Sequence, residues 1–243
     1  MNSKSRSLIV GLIICTLLLG NLVAVMAQPP EDKGKSESTP ADDNKPIKSE
    51  KLKSDDVAKE FNAKRNTDNK IKAADDFLKG KGFSAKTKAE DAMGQKDTFK
   101  GKDEQGNDQE STSALKAQNY EKKGSKDAAA IAEVEVVSGG EKRTYSFVLI
   151  APDGDLNKTE EYAVEESDGK AKVEIAHSWW SCTFYRTQNC GCGYPLYSCW
   201  NGNWVYYLNC LAYNCGWCFI GAANCCGCDC NWWCRWAVGC CDA

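Results

Sequence analysis

The sequence predicts an α+β protein: one or two helices and a small antiparallel meander, followed by a disulfide-rich module built as a helical hairpin. Three observations support this prediction. Apolar residues follow helical spacing between residues 56 and 82, apolar and polar residues alternate from Ala129 onward, and 14 of the 15 cysteines come after Ser178. Because the composition changes abruptly at this serine, we divide the chain there into an α+β region, residues 56–177, and a cysteine-rich module, residues 178–243.

The first 27 residues have the pattern of a secretory signal peptide. Lys4 and Arg6 precede an apolar run over residues 8–20. Val25 and Ala27 then place small residues at the −3 and −1 positions. We expect general secretion and cleavage after Ala27, since no twin arginine precedes the apolar run; an uncleaved membrane anchor is the alternative. Export would bring the cysteines into an oxidising compartment, so we expect a secreted, extracellular protein.

Residues 28–55 have the composition of a disordered linker. The stretch contains four prolines and alternating charges but almost no large apolar side chains, so it cannot bury enough surface to offset the entropy of ordering. Between residues 28 and 177 there are 27 basic and 32 acidic residues, a net charge of −5, and the module is neutral. Because neither region is basic enough to attract phosphate backbones, we expect no nucleic acid partner.

Helical signals begin at Ser54, a residue type that often caps helices. A second and clearer helix is expected after Asp68, which suits an N-cap, and Gly80 marks its end. One face of this helix is apolar and consists of Ile71, Ala74, Phe77 and Leu78. Residues 83–109 are polar and interrupted by glycine, and there we expect only a short helix at 89–93.

Four strands of an antiparallel meander are expected after residue 129. Alternating and continuous apolar runs place them at 131–136, 144–150, 160–164 and 171–176. We expect the preceding helix to cover the apolar face of this sheet, which comprises Val134, Val136, Tyr145, Phe147, Leu149 and Val173. No catalytic motif accompanies the single histidine, His177, and the region has no glycine-rich phosphate loop, so we expect no enzyme activity.

The fourteen cysteines of the module predict a disulfide framework. They are Cys182, Cys190, Cys192, Cys199, Cys210, Cys215, Cys218, Cys225, Cys226, Cys228, Cys230, Cys234, Cys240 and Cys241. Up to seven bridges would stabilise a segment too short to bury a large core, each by about 2–4 kcal/mol. The alternatives are a metal–thiolate cluster and a redox site at Cys215 and Cys218. The module has no histidine and no lysine, is rich in tryptophan and follows an export signal, so we favour disulfides and expect neither a metal nor a cofactor.

Two folds remain open for the module. The dipeptide 201–202 (Asn-Gly) favours a hairpin and hence a β-rich knot, whereas Asn203 suits the cap of a helix over residues 204–221. The face of that helix would comprise Trp204, Tyr207, Leu208, Leu211, Cys215 and Cys218, at three- and four-residue spacing. Three cysteines recur every four residues from Cys226. Because a helix with that spacing would cross-link to the first, we favour the helical hairpin.

All eight tryptophans also lie in the module. They are Trp179, Trp180, Trp200, Trp204, Trp217, Trp232, Trp233 and Trp236. The module has too little polar sequence to cover so many rings, and we expect five of them at the surface: Trp179, Trp180, Trp232, Trp233 and Trp236. Tryptophan favours membrane interfaces, where an apolar ring meets a polar environment. The tryptophans are therefore candidate contacts to a target membrane or surface.

The whole layout resembles the halocin-type cysteine-rich bacteriocin precursors. The resemblance rests on the cysteines from Cys182 to Cys241 and on the helix-plus-meander region that ends at His177. It implies that a processing protease acts near His177 and releases an antimicrobial peptide that acts on the membranes of target cells. It also implies an N-terminal region that serves as the immunity partner of the module. An interpretation of a different class is an extracellular adhesion protein whose tryptophans bind carbohydrate or the cell wall.

Overall fold

An antiparallel sheet with helices on both faces organises the chain. The computed structural model describes residues 45–102, 105–176 and 179–227. Within these residues the strands are β1 (Lys48–Lys51), β2 (Ser84–Ala85), β3 (Ala92–Lys102), β4 (Asp108–Glu121), β5 (Ala128–Ser138), β6 (Glu141–Ala151), β7 (Glu160–Ser167) and β8 (Lys170–Ile175). Their order across the sheet is β1-β3-β4-β5-β6-β7-β8, and β2 pairs with the end of β4. From β3 to β8 each strand is therefore the antiparallel neighbour of the next one in the chain.

Six α-helices lie in the same described ranges. They are α1 (Ser54–Thr67), α2 (Asn69–Gly80), α3 (Trp179–Asn189), α4 (Tyr194–Ser198), α5 (Trp204–Cys215) and α6 (Trp217–Gly227). The first two pack on one face of the sheet, and the helices of the module pack on the other. The mixed class of helices, antiparallel sheet and disulfide-rich helical region is confirmed, but the sheet is larger than the predicted four-stranded meander.

The helices α1 and α2 form the first layer. As predicted, the Asp68 carboxylate caps α2, because its Oδ1 accepts hydrogen bonds from the N–H groups of Lys70 and Ile71 at 2.9 and 3.0 Å. The predicted cap at Ser54 is wrong: this residue is the first of α1, and no side chain caps that helix. The core of this layer contains Val57, Phe61, Ile71, Leu78, Ile131, Val148 and Ile150.

The opposite face of the sheet is covered by the module. The apolar side chains on this face of the sheet share one hydrophobic core with α3, α5 and α6. They include Met93, Leu115, Val134, Val136, Phe147 and Leu149. The expectation that the preceding helix covers Val134, Val136, Tyr145, Phe147 and Leu149 is wrong, and only Val173 lies on the α1–α2 side. The physical reason is that residues 128–132 of β5 and 147–151 of β6 are continuous apolar runs, so alternate side chains bury both faces.

Two further expectations for the N-terminal half need correction. Residues 48–51 lie in the predicted disordered linker, yet they form β1 and pair with residues 95–98 of β3. The polar stretch 83–109 contains β3, while the short helix expected at 89–93 is a 3-10 turn over Ala89–Asp91. Residues 1–44, which include the predicted signal peptide, its cleavage site at Ala27 and most of that linker, lie outside the described residues.

The described part of the module is helical, as the favoured prediction required. Asn203 caps α5, because its Oδ1 accepts a hydrogen bond from the Tyr206 N–H at 2.9 Å. The helix is shorter than predicted: it ends before Gly216, which adopts φ +53° and separates it from α6. Trp204, Tyr207, Leu208 and Leu211 form its buried face. Of the cysteines on which the second predicted helix rested, Cys226 lies in α6, and Cys230 and Cys234 lie outside the described residues.

Candidate functional site

The candidate site is the interface between the sheet and the module, where most of the described tryptophans lie. Trp179, the first residue of α3, is 1% exposed. Its ring stacks on Phe147 of β6 with centroids 4.3 Å apart and planes 5° apart. Its Nε1–H donates to the Ala223 carbonyl of α6 at 2.8 Å. This side chain therefore joins the sheet, α3 and α6.

A cluster of aromatic rings continues from Trp180 into the module. The Trp180 ring meets Trp204 edge-on at 5.2 Å and Tyr207 at 5.7 Å. Trp200 meets the same two rings at 5.0 and 5.3 Å. Edge-to-face contacts of this kind are favourable beyond the apolar area that they bury. The cluster is the centre of the shared core.

The expectation that Trp179 and Trp180 are exposed is wrong, since they are 1% and 6% exposed. The physical reason is that the sheet, and not solvent, covers this face of the module. Trp204 is fully buried, whereas Trp200 and Trp217 are half-buried. Trp232, Trp233 and Trp236 lie outside the described residues. Within the described module the exposed aromatic residues are tyrosines: Tyr185, Tyr194, Tyr197, Tyr206 and Tyr213.

Disulfide bonds join the helices of the module to one another. The pairs are Cys182–Cys226, Cys190–Cys218, Cys192–Cys215 and Cys199–Cys210. Cys225 is also disulfide-bonded. Cys182–Cys226 connects α3 with α6, Cys190–Cys218 connects the residue after α3 with α6, and Cys199–Cys210 connects the residue after α4 with α5. These bonds support the predicted disulfide framework, and such bonds are typical of exported proteins.

The disulfide pattern bears on both alternatives for the cysteines. Cys215 and Cys218 are bonded to Cys192 and Cys190, so they do not form the internal CxxC disulfide of a redox site. The nine described cysteines are all disulfide-bonded. Metal-binding cysteines are thiolates, and these nine sulfurs are not. Cys228, Cys230, Cys234, Cys240 and Cys241 lie outside the described residues.

Two polar side chains of the sheet bind the first turns of module helices. Asn119 of β4 donates from Nδ2 to Asn203 Oδ1 at 2.7 Å and accepts from the Val205 N–H at 3.0 Å. Glu161 of β7 accepts from the Trp180 N–H at 2.9 Å. In both cases a sheet residue satisfies donors that a helix leaves free at its N-terminus. Sequence reasoning missed both contacts, because a single Asn or Glu on a strand gives no signal of a partner 19 or 86 residues later.

Buried carboxylates are the main electrostatic feature of this interface. Glu161 is 8% exposed, and burial raises its pKa to about 7 although the N–H groups of Trp180 and Trp179 partly offset that effect. Asp97 of β3 is fully buried, and burial raises its pKa despite hydrogen bonds from Gln95 and Ser49. Within the described structure, one oxygen of each carboxylate has no hydrogen-bond partner. Both residues lie on the module-facing side of the sheet.

A groove of about 1010 Å³ opens where the β4–β5 turn meets the loop before α5. Its walls include Tyr120, Lys122, Asp127 and Asn201. Trp200 borders the groove, and its Nε1–H donates to the Gly154 carbonyl at 2.8 Å. The groove thus combines one half-buried indole ring with charged and amide side chains from both parts of the chain.

The residues that flank the predicted processing site in the sequence belong to the described structure. His177 and Ser178 are outside the described residues; Ala176 and Trp179 flank them.

Comparison with known protein families, with curated proteins and with solved structures found no match. In residues 45–102, 105–176 and 179–227, no helix combines the length and apolar character that crossing a bilayer requires.

Proposed function

We propose that the chain is the secreted precursor of a disulfide-stapled, bacteriocin-like antimicrobial peptide. A protease acts near His177 and releases the module, which then acts on the membranes of target cells. Residues 56–177 bind the module before release and serve as its immunity partner. In this proposal the tryptophans contact the membrane only after the sheet has been removed.

The observation that carries the proposal is that disulfides cross-link the module within itself, whereas the module contacts the sheet without covalent bonds other than the peptide chain. Every cysteine beyond the predicted signal peptide lies between Cys182 and Cys241. No disulfide can therefore tie the mature α+β region to the module. A single peptide-bond cleavage before Trp179 would leave the module cross-linked within itself and attached to the sheet by packing and hydrogen bonds alone.

The covered face supplies the second support. Trp179, Trp180 and Trp204 pack against the sheet or against one another, and all three are buried. Separation from the sheet would expose the Trp179 ring that now stacks on Phe147. Exposed indoles on an almost uncharged module favour the membrane interface. Burial in the uncut chain would keep the same rings from the producer's own membrane.

Intact-mass measurement and N-terminal sequencing of the secreted material test the proposal. We expect a species that begins near Ser178, with a mass lower than that of the thiol form by about fourteen protons for seven bridges. A supernatant that holds only the uncut chain from Gln28 would contradict the proposal.

The groove beside Trp200 favours a second candidate, a module that binds carbohydrate. A sugar ring stacks on an indole face, accepts hydrogen bonds from amide and ammonium groups and donates hydroxyl hydrogen bonds to carboxylates. Trp200, Asn201, Lys122 and Asp127 offer such groups. This function needs no processing. The test is whether the uncut chain binds glycan, whether Trp200→Ala weakens that binding, and whether lipid vesicles stay intact. Binding with these properties would favour the carbohydrate-binding function over the antimicrobial one.

A further inference from the structure

We propose that Glu161 is the residue with which the sheet recognises the amino terminus of the module, and that this contact depends on a proton. The α3 contact, as we call it, consists of the Glu161 carboxylate and the backbone N–H groups of Trp179 and Trp180. Its biological meaning rests on the proposed function, because the contact lies directly beside the predicted processing site. The contact itself is a property of the uncut chain.

The geometry assigns this role to Glu161 because the first turn of α3 has no carboxylate of its own. Its first turn reads Trp-Trp-Ser-Cys from Trp179 and contains no acidic residue. The carboxylate comes instead from β7, 19 positions earlier in the chain, and its Oε2 lies 2.9 Å from the Trp180 nitrogen. The two residues that it holds are those that pack on Phe147, Trp204 and Tyr207. The contact therefore fixes the residues that join the module to the sheet.

Only one oxygen of the Glu161 carboxylate accepts a hydrogen bond within the described structure. Among the described residues Oε1 has no hydrogen-bond partner, although the side chain is 8% exposed. A buried carboxylate with a free oxygen holds a proton more tightly than one in water. Glu161 also borders a cavity of about 410 Å³ between β7, the end of β8 and α3, which gives a proton a route to it.

No cation compensates the charge within the described structure. Leu149 is the partner of Glu161 on β6, and Ala176 donates its N–H to the Glu161 carbonyl after β8. The titratable neighbours on the same strand, Glu160 and Tyr162, share a hydrogen bond at 2.7 Å. On α3 the residues beside the carboxylate are Trp179, Trp180 and Ser181, and the described part of α6 has no charged residue. His177, next to Ala176, lies outside the described residues.

The direction of the pH dependence follows from these neighbours. Burial raises the pKa of Glu161 from 4.5 to about 7. The protonated form is thus favoured in the folded contact, and stability is lost as the pH rises toward neutrality. Linkage makes opening of the contact about 70-fold more frequent at pH 8 than at pH 5. The module is therefore held firmly in acid and more loosely at neutral and alkaline pH.

Amide hydrogen exchange on the full-length, oxidised protein tests this inference. We expect the protection of α3 amides, corrected for the intrinsic rates, to fall by one to two orders of magnitude between pH 5 and pH 8. The variant Glu161→Gln keeps an uncharged acceptor and should retain high protection at both pH values. Glu160→Gln is the control, because it changes an exposed neighbour on the same strand. In this variant the protection of the α3 amides should fall with pH as it does in the wild type.

Two results would overturn the inference: wild-type protection of α3 that changes less than threefold, or a fall in Glu161→Gln equal to that of the wild type. The first result decides the question even if the variant does not fold. Because exchange is measured without vesicles or target cells, it is independent of the proposed function. A protein that showed the expected fall but no processing would retain the α3 contact and lose the antimicrobial proposal.

Discussion

Replacing Trp179 with alanine is expected to destabilise the full chain by about 5–6 kcal/mol. Removal of a buried tryptophan side chain from a packed core costs about 3–5 kcal/mol through lost transfer energy and a cavity. The ring is 1% exposed and stacks on Phe147 at 4.3 Å, so the upper half of this range applies. The variant also leaves the buried Ala223 carbonyl without the indole N–H, which adds about 1 kcal/mol.

The free energy of unfolding in urea, with the disulfides kept intact, measures this effect. Tyr213→Ala is the matched control, because this ring belongs to the same module but is 89% exposed. The control should change stability by no more than about 0.5 kcal/mol. A loss below about 1 kcal/mol for Trp179→Ala would refute the shared core and would restore the original expectation that this ring faces solvent.

Three further changes have definite expected outcomes. Loss of the Cys199–Cys210 bond by double alanine substitution should lower the free energy of unfolding by about 3 kcal/mol, and loss of Cys182–Cys226 by about 4 kcal/mol, because the bond that closes the longer loop constrains the unfolded chain more. Thermal unfolding of the oxidised variants measures this order, and the reverse order would contradict the expectation. Asp68→Ala removes the cap of α2 and should lower the free energy of unfolding by about 1 kcal/mol, which lowers the Tm by about 2–4 °C. An unchanged Tm would mean that the cap does not contribute to stability. Because burial raises the pKa of Asp97, its contribution to stability is full below its ordinary pKa and declines as the pH rises through the raised value. Asp97→Asn should therefore flatten the dependence of the unfolding free energy on pH, and an unchanged slope would show that Asp97 does not titrate between the two states.

Local patterns predicted the elements that carry their own signals. Asp68 followed by apolar residues at helical spacing predicted α2 and its cap, because those interactions lie within one helix. The run over residues 144–150 predicted β6, because a continuous apolar run is itself a local signal of a buried strand. The strands β1 and β3 were missed, since their side chains are mostly polar, and the pairing partner of β1 is remote in the sequence. Non-local pairing of this kind leaves no periodic signal.

The covering of the sheet was the larger error, and one signal in the sequence could have prevented it. Residues 147–151 form a continuous apolar run, which is typical of a strand buried on both faces. Two short helices can cover only one face. The tryptophans of the module, beginning with Trp179, were the apolar surface left to cover the other. Glu161 could not be found in this way, because it stands beside Glu160 in what reads as a solvated strand.

The central claim is that the sheet keeps the module inactive until the chain is cleaved between them. Leakage of dye from lipid vesicles tests it most directly, with a full-length protein in which residues 177–178 are replaced by the recognition sequence of a specific protease. Before cleavage we expect no leakage, because Trp179, Trp180 and Trp204 are buried; after cleavage, with the disulfides intact, leakage should begin. Leakage by the uncut chain at the same rate, or none after the module has separated in size-exclusion chromatography, would contradict the claim.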